Sequence, residues 1–259
     1  MAIIIAIANH KGGVGKTSSV ASISAVLATQ GYKTLIVDLD TQANLSRHYM
    51  PSLPDRIIYH AIRERKSLPI YRLSPKLDLV PSGLDMAGIE LEMTMMMRRE
   101  YVLQDLIKPI EHQYDFILLD CPPSLGLITM NALTIANVLI VPMLADLMSS
   151  YGLDMMDSFC ANMQSLNPGV HINYIFFNSY KSNENISNVV SEDIRKRYGS
   201  KVLRQTIHKN VAIAEAPFKY QSVLSYSPSS NGAKDYIALT EEILTRLKSD
   251  GYKLPALYR

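Results

Sequence analysis

The chain has 259 residues, of which 47% are hydrophobic and 19% are charged, and this composition excludes a disordered or fibrous protein. Its formal net charge is only +2, so a nucleic-acid or membrane partner has to be argued from local concentrations of charge. The two cysteines, Cys121 and Cys160, form no CxxC pair, which favours free thiols over a disulfide framework.

Short aliphatic runs, separated by segments of helical length, define the predicted elements. The runs show little polar alternation, as expected of strands buried on both faces, and lie at 3–8, 34–38, 77–80, 116–120, 138–141 and 172–177. Helices are predicted at 16–30, 124–136, 150–165, 184–198 and 231–248. This alternation predicts an α/β fold with a mainly parallel, twisted sheet flanked by helices on both faces. With no repeat and no long linker, we expect a single domain over residues 1–259.

The opening run AIIIAIA is apolar, but it is short, no basic stretch precedes it, and it leads directly into a glycine-rich loop. These features indicate a buried strand and not a signal peptide. No other segment approaches the roughly 18 uncharged apolar residues that a membrane-spanning helix needs. We therefore expect a cytoplasmic protein.

The glycine-rich loop KGGVGKT, residues 11–17, follows the first strand and opens the first helix, which is the context that a phosphate-binding loop requires. Its glycines let backbone N–H groups converge on phosphate oxygens beside a helix N-terminus. The lysine of GKT would bind the β- and γ-phosphates, and the threonine hydroxyl would bind Mg²⁺. ATP or GTP binding is predicted, with contacts from Gly12, Gly13, Val14, Gly15, Lys16, Thr17 and Ser18.

Carboxylates are expected at the carboxyl ends of the strands beside this loop, because ligands of open α/β sheets bind there. The run TLIVDLD ends in Asp38 and Asp40, and the run YDFILLDCPPS contains Asp120. A single aspartate after a strand is also a common helix cap or turn residue. In a chain that has a phosphate loop, we interpret these carboxylates as the Mg²⁺ side of the site.

Five motifs occur in the order and approximate spacing of a known family: KGGVGKT, VDLDTQANLS, YDFILLDCPPSLG, VLIVPMLADLMSSYGL and NVAIAEAP. Over nearly its whole length the chain resembles the ParA/Soj chromosome- and plasmid-partitioning ATPases, within the ParA/MinD group that has a deviant Walker A loop. The resemblance implies a P-loop NTPase fold, slow hydrolysis of ATP with Mg²⁺, and a homodimer that forms when ATP is bound.

The resemblance also implies roles for single residues. Lys11, the additional lysine of the deviant loop, would reach the nucleotide of the partner subunit, and Lys16 would bind the phosphates of its own. Gly12 matches the position where a small residue permits close approach of the two subunits. Asp40 would orient the attacking water.

Asp38 and Asp120 would lie near the Mg²⁺ and its water shell. Asn178 follows the strand YIFF, where related proteins often contact the base, but an asparagine that ends a strand is also commonly a turn residue. The chain departs from the family at Thr41, where proline is common, and at Asp146, where glutamate is common. Neither departure removes a catalytic group.

Residues 195–209 hold six basic residues and no acidic one, a real concentration in a nearly neutral chain. Such a run is usually a solvated helix face and turn. Because ParA-type dimers bind DNA without sequence preference, we interpret the run as a DNA-binding surface, with candidates Arg195, Lys196, Arg197, Lys201, Arg204 and Lys209. The family also implies a ParB-like, centromere-binding partner that stimulates hydrolysis, and association with the nucleoid.

Two further stretches remain open to interpretation. Residues 47–76 contain a second excess of basic residues, a weaker candidate for DNA binding that could as easily serve a protein partner. The methionine-rich run EMTMMMRRE, residues 92–100, is typical of the buried stripe of a helix, but it could also form an adaptable partner surface.

Rival functions can be weighed against the same sequence. A MinD-like, membrane-positioning ATPase would need a C-terminal amphipathic helix, whereas RLKSDGYKLPALYR is interrupted by Gly251 and Pro255, so no membrane partner is expected. An iron–sulfur protein of the nitrogenase iron-protein type would need paired cysteines near the switch regions, where only Cys121 lies. Because the nucleotide loop begins so early, we expect no N-terminal helix-turn-helix domain.

Overall fold

Seven strands of the described residues form one sheet in the computed structural model, which describes residues 1–180 and 185–255. They are β1 (Ile3–Ile7), β2 (Thr34–Asp38), β3 (Tyr71–Ser74), β4 (Leu77–Val80), β5 (Phe116–Asp120), β6 (Val138–Met143) and β7 (Ile172–Phe177). Their order across the sheet is β3-β4-β2-β5-β1-β6-β7, and every neighbouring pair is parallel except β3 and β4. The predicted, mainly parallel sheet is confirmed.

Helices connect the strands. The α-helices of the described residues are α1 (Lys16–Thr29), α2 (Asn44–Tyr49), α3 (Ile58–Glu64), α4 (Ile89–Thr94), α5 (Val102–Ile107), α6 (Leu127–Ile135), α7 (Leu147–Met163), α8 (Asn185–Tyr198), α9 (Val211–Glu215), α10 (Val223–Tyr226) and α11 (Asn231–Ser249). A 3₁₀ segment, Leu84–Gly88, runs directly into α4.

The core has two layers because successive strand residues point to opposite faces of the sheet. In β1, Ile4 and Ala6 join a cluster that α3 to α8 cover, whereas Ile3, Ile5 and Ile7 join a second cluster under α1 and α11. Burial on both faces explains why these strands are continuous aliphatic runs. The prediction of helices on both faces of the sheet is confirmed.

The differences from prediction have local causes. Strand β3 was not predicted because it is a half-buried edge strand without a continuous aliphatic run. Helices α2 to α5 are too short to show a helical period. Helix α7 begins at Leu147, earlier than predicted, because the Asp146 side chain caps it by accepting from Ser149 N. No helix in residues 1–180 or 185–255 is long and apolar enough to cross a membrane.

A buried carboxylate ties the edge of the sheet together. Asp78 of β4 accepts hydrogen bonds from Lys33 Nζ at 2.5 Å, from Tyr114 OH at 3.0 Å and from Arg72 Nε at 3.1 Å. Burial alone would raise the pKa of Asp78, but the hydrogen bonds from Lys33, Arg72 and Tyr114 outweigh it and lower the pKa below its ordinary value. The ionised carboxylate is therefore favoured in the folded state.

We predict that Asp78→Ala lowers the free energy of unfolding by about 2–3 kcal/mol at neutral pH, because it removes a buried acceptor shared by several donors. Urea unfolding measures this, with the exposed Asp55→Ala as a control that changes it by less than about 0.5 kcal/mol. The lowered pKa belongs to the folded state, so the Asp78 contribution is present above the ordinary value of 3.8 and disappears as the pH falls below it. Equal effects of the two substitutions would contradict the prediction.

Candidate functional site

The glycine-rich loop lies at the carboxyl end of β1, which is a central strand between β5 and β6. It ends where α1 begins at Lys16, so the N–H groups of the first helical turn point toward the loop. Gly13 and Gly15 have φ angles of 73° and 89°, a left-handed conformation that favours glycine. The predicted strand, loop and helix arrangement of a phosphate cradle is present.

Gly15 is required by packing, whereas nothing in the described residues requires a glycine at Gly12. A Cβ at Gly15 would lie 2.1 Å from Asn178 Nδ2, because the Asn178 carboxamide packs against the loop and donates to Val14 O at 2.9 Å. Asn178 thus supports the loop from behind, and its contact with a base stays a prediction. Gly12 is exposed, has no positive φ, and a Cβ built on it meets nothing within 4 Å in the described residues.

Lys16 is buried beneath the loop. Its Nζ donates to the carbonyl oxygen of Lys11 at 3.1 Å. Burial lowers the pKa of Lys16 below its ordinary value, and the negative charges of Asp120, Cys121 and Asp40 only partly restore it. The ammonium is therefore in a low-dielectric position where an anion, such as a phosphate, would be bound strongly.

Asp38 and Asp120 end the neighbouring strands β2 and β5 and face each other in register. Both are almost completely buried, and neither carboxylate oxygen of Asp120 has a hydrogen-bond partner in the described residues. Burial, and then the charge of Asp38, raise the pKa of Asp120 well above its ordinary value, although Thr17 and Lys16 lower it in part. Asp120 therefore has no donor within 3.5 Å in the described residues, although the Thr17 hydroxyl is near enough to lower its pKa.

In contrast to Asp120, both carboxylate oxygens of Asp38 accept hydrogen bonds. Its Oδ2 accepts from Ser46 Oγ at 2.6 Å and from Ser46 N at 2.8 Å, and its Oδ1 accepts from Asp40 N at 3.1 Å. Burial nevertheless raises the pKa of Asp38 to about 6. Because its oxygens are already engaged, the structure shows Asp38 holding the segment after β2, and its contact with a metal shell stays a prediction.

Asp40 belongs to the same hydrogen-bond network as Asp38 and lines the nucleotide cleft described below. Its Oδ1 accepts from Gln42 N at 2.9 Å, and its carbonyl oxygen accepts from Ser82 Oγ at 2.7 Å. The backbone N–H of Ser82 donates to Ser46 Oγ at 2.8 Å. Sequence reasoning gave no role to Ser46, although it ends the motif VDLDTQANLS, and it missed Ser82, because no local motif marks a residue that reaches the site from another segment.

Lys11 lies apart from the cradle. Its Nζ forms an ion pair with Asp146 Oδ2 at 2.6 Å, and both side chains are partly exposed. Asp146 also accepts from Ser149 N at the start of α7. Burial would raise the pKa of Asp146, but the hydrogen bonds from Lys11 and Ser149 outweigh it and lower the pKa. The two lysines of the loop therefore occupy different surroundings.

A cleft of about 790 Å³ opens over these groups. The phosphate loop and Asp40 line it, together with α2 and the residues after it and with the segment after α9, which includes the exposed Phe218 and Tyr220. Sequence reasoning gave these two segments no role in the cleft, although the motifs VDLDTQANLS and NVAIAEAP run into them. The lining residues outside the loop include Gln42, Asn44, Arg47, His48, Met50, Pro51, Pro123, Pro217, Phe218 and Tyr220.

The structure divides the predicted DNA-binding residues. Arg195 is half-buried, donates to Leu203 O at 3.2 Å and lies over the Phe177 ring, while Arg197 forms an ion pair with Asp154. The remaining cations have no hydrogen bond or ion pair of their side chains within residues 1–180 and 185–255, and they are Lys196, Lys201, Arg204 and Lys209. Lys196, Arg204 and Lys209 are exposed, and Lys201 is partly exposed.

Comparison with known proteins agrees with this geometry. A family model described as an AAA domain matches residues 2–172. The chromosome partitioning protein ParA of Caulobacter vibrioides is 32% identical over 251 residues, which cover 94% of each chain. The chromosome-partitioning ATPase Soj of Treponema pallidum is 34% identical over 242 residues, which cover 92% of this chain and 95% of that protein. The chain belongs to the ParA/Soj family.

The P-loop NTPase fold of this ParA/Soj family member also has a counterpart among solved structures. The cobyrinic acid a,c-diamide synthase of Mycobacterium smegmatis, with bound ADP and magnesium, superposes with a TM-score of 0.83 at 29% identity and over 100% of both chains. The predicted family and fold class are both confirmed.

We predict that Asp120→Asn raises the free energy of unfolding of the nucleotide-free protein by about 1–3 kcal/mol at neutral pH, because it replaces a buried carboxyl group that costs free energy whether it is ionised or has to be protonated. Asp38→Asn is the matched control, and we expect it to lower that energy by about 1 kcal/mol because it disrupts existing hydrogen bonds. Urea unfolding without nucleotide distinguishes them. A loss of stability in both variants would contradict the view that only the Asp38 carboxylate is stabilised by hydrogen bonds.

Burial of Asp38 also makes the stability of the folded protein depend on pH. Burial raises the pKa of Asp38 from 3.8 to about 6 in the folded state, so the folded chain binds more protons than the unfolded chain between these values. The contribution of Asp38 to stability therefore decreases as the pH rises through this range.

Proposed function

We propose that the chain is an ATP-driven switch for DNA partitioning. ATP joins two copies in a sandwich dimer, the dimer binds DNA without sequence preference, and slow hydrolysis, stimulated by a ParB-like partner, releases it. The observation that carries the proposal is Lys11, a second lysine at the mouth of the phosphate loop that its own cradle does not use. The relatives ParA and Soj are named as chromosome-partitioning proteins, which supports a role in partitioning.

The donor set fits ATP with Mg²⁺. The loop and α1 N-terminus offer N–H groups to the phosphates, Lys16 lies among the acids beneath them, and the unpartnered Asp120 carboxylate is suited to a hydrated cation. Thr17 and Asp120 would hold the ion, with Asp38 fixing the segment beside them. Mg²⁺ neutralises charge on the β- and γ-phosphates when it is bound.

Asp40 would orient the water that attacks the γ-phosphate. Asp40 lines the cleft together with the loop, and the hydrogen bonds of its backbone to Asp38 and Ser82 hold its main chain. A carboxylate held rigidly beside the γ-phosphate position can orient a water for in-line attack. Lys16 would stabilise the charge that develops on the transferred phosphate.

The positions of Lys11 and Gly12 support the proposed dimerisation. Gly12 has no conformational or packing need for glycine within its own subunit, so its lack of a side chain is explained by something that approaches from outside. A second copy would place its Lys11 on the phosphates, as an arginine finger does in other phosphoryl-transfer enzymes. Because Lys11 must leave Asp146 to do so, the ATP-bound dimer and the free monomer use this lysine differently.

We predict that Lys11→Ala still binds ATP within about threefold of the wild-type affinity but no longer dimerises with it. Lys16→Ala should lose nucleotide binding itself, and Lys66→Ala, an exposed lysine far along the chain, should behave as wild type. Nucleotide titration and sedimentation with ATP and with ADP measure the two properties. An ATP-dependent dimer of Lys11→Ala would show that this lysine is not the contact between subunits.

The DNA surface of the ATP form would be the exposed part of the basic run. Lys196, Arg204 and Lys209 are exposed without a partner in the described chain, whereas Arg197 already pairs with Asp154. Unpaired cations that release counterions on contact with phosphates contribute most to non-specific binding. In this scheme the ATP-bound dimer resides on the nucleoid, and the ADP form diffuses in the cytoplasm.

We predict that the double variant Lys196→Ala and Lys209→Ala lowers the slope of log affinity against log salt by about 2 per subunit. Arg197→Ala is the matched control, and its slope should stay unchanged. Binding to non-specific duplex DNA over a salt series, with ATP, with ADP and without nucleotide, measures this. Wild-type binding that is absent or independent of ATP would overturn the partitioning proposal.

A further inference from the structure

Lys11 is held at three of its atoms by its own subunit. Its backbone N–H donates to Asn9 Oδ1 at 2.9 Å, and its carbonyl oxygen accepts from Lys16 Nζ at 3.1 Å. Its side-chain Nζ forms the ion pair with Asp146 Oδ2 at 2.6 Å. The lysine that the proposed dimer needs on the nucleotide of a second copy is therefore already engaged at home.

Asn9 anchors the start of the loop. It is 1% exposed, its Nδ2 donates to Pro142 O of β6 at 2.8 Å, and a Cβ at Gly152 of α7 would approach its Oδ1 to 3.2 Å. A buried hydrogen bond of this kind is kept while more exposed contacts open. The Lys11 main chain can therefore stay attached at Asn9 while its side chain changes partner.

The two carboxylate oxygens of Asp146 make different contacts. Oδ1 caps α7 by accepting from Ser149 N at 3.0 Å and from Ser149 Oγ at 2.9 Å, and Oδ2 binds Lys11. The cap fixes the carboxylate, so Lys11 pairs with an acceptor that is already in place. Capping requires only an acceptor oxygen, whereas the ion pair requires a negative charge, so a substitution can separate the two contacts.

The ion pair is weak enough to exchange and strong enough to matter. The Lys11 and Asp146 side chains are 31% and 41% exposed, so water screens the attraction, which is worth a factor of about two to five in an equilibrium constant. The phosphates of a nucleotide carry more charge than one carboxylate and would displace it. Because both subunits of a dimer must exchange their Lys11, the factor applies twice.

Lys16 connects this ion pair with the phosphate cradle. Its buried amine donates to the Lys11 carbonyl oxygen. Phosphate oxygens are charged acceptors and form stronger hydrogen bonds with an ammonium group than a peptide carbonyl does. Phosphates bound by Lys16 would therefore compete with Lys11 for the amine. Without that hydrogen bond, Lys11 would be attached only through Asn9 and Asp146.

We propose that Asp146 restrains Lys11 within its own subunit and thereby limits how readily ATP joins two copies, and that phosphates bound by Lys16 weaken this restraint. This inference rests on the proposed ATP-dependent dimer. It makes Asp146 a positioning residue that acts through Lys11. The loop then reports its own nucleotide to the lysine that serves the other subunit, which couples two sites through one residue.

The first test is sedimentation over a range of protein concentrations with a non-hydrolysable ATP analogue. Asp146→Ser keeps a capping oxygen but removes the charge, so it should fold and should lower the dissociation constant of the dimer about tenfold, and at least about fourfold. Asp146→Glu keeps the charge and should stay within about threefold of wild type. Asp154→Ser is the matched control, because it removes a carboxylate of α7 that pairs with Arg197 instead.

Two results of this experiment would overturn the inference. A dimer of Asp146→Ser that is as weak as wild type, or weaker, would show that Asp146 does not oppose dimerisation. Equal tightening by Asp154→Ser would show that net charge, and not the contact with Lys11, is responsible.

The second test measures the restraint directly, by the rate at which an acylating reagent modifies the Lys11 amine, read by peptide mass spectrometry. Lys209, which is exposed and has no side-chain partner in the described chain, is the reference in the same molecule. Without nucleotide, Lys11 should react at least about threefold faster in Asp146→Ser than in wild type, because the ion pair keeps the amine protonated. Equal rates in the two proteins overturn the restraint.

The same measurement tests the role of Lys16. Wild type is labelled with the ATP analogue at a concentration where sedimentation shows only monomer, and the rate at Lys11 should rise at least about twofold. A rate that the analogue leaves unchanged or lowers overturns the coupling through Lys16.

The outcomes separate the inference from the proposed function. If wild type forms no dimer with the analogue at any concentration, the proposed function fails, whatever the labelling shows. If wild type dimerises and Asp146→Ser dimerises no better, the proposed function stands and only the inference fails.

Discussion

The Asp120 carboxylate, buried beside Asp38 without a hydrogen-bond donor of its own, is the constraint on which the site depends. A charge in such a place costs free energy, and the chain tolerates it because aliphatic clusters on both faces of the sheet fix β2 and β5 in register. A hydrated cation bound at Asp120, as proposed, would offset this cost. The folded sheet thus creates an affinity for positive charge at the point where the glycine loop creates an affinity for negative charge.

The two lysines of the loop show how burial assigns function to identical side chains. Lys16 is enclosed, its pKa is lowered by desolvation, and it can reach only what lies in the cradle. Lys11 is partly exposed, five residues earlier, and its ion pair with Asp146 is weak enough to exchange because water screens it. An enclosed lysine suits binding that is always required, and an exposed one suits a contact that forms only with a second copy.

The features that could be predicted from the sequence are those that depend on residues close together along the chain. The buried strands appear as aliphatic runs, and the loop is a continuous motif, so the sequence predicted a glycine-rich loop between β1 and α1, where the structure has it. Contacts made by distant segments leave no such signal: Asp146 reaches Lys11 across 135 positions, and Ser82 reaches Asp40 across 42. The edge strand β3 and the short α4 lacked a period long enough to detect, so both became visible only in the fold.

In the proposed dimer, the nucleotide cleft of each subunit would face the other copy. A second subunit that supplies Lys11 to the phosphates would cover the mouth of the cleft, so a protein that accelerates hydrolysis would have to act on Asp40 and the Asp120 loop from elsewhere. Ser82 donates to the Asp40 carbonyl oxygen, and Glu90 accepts from Ile128 N just after the Asp120 loop. A contact that displaced these two residues would change both loops without displacing the second subunit, and such coupling needs only that the two positions hold the loops differently.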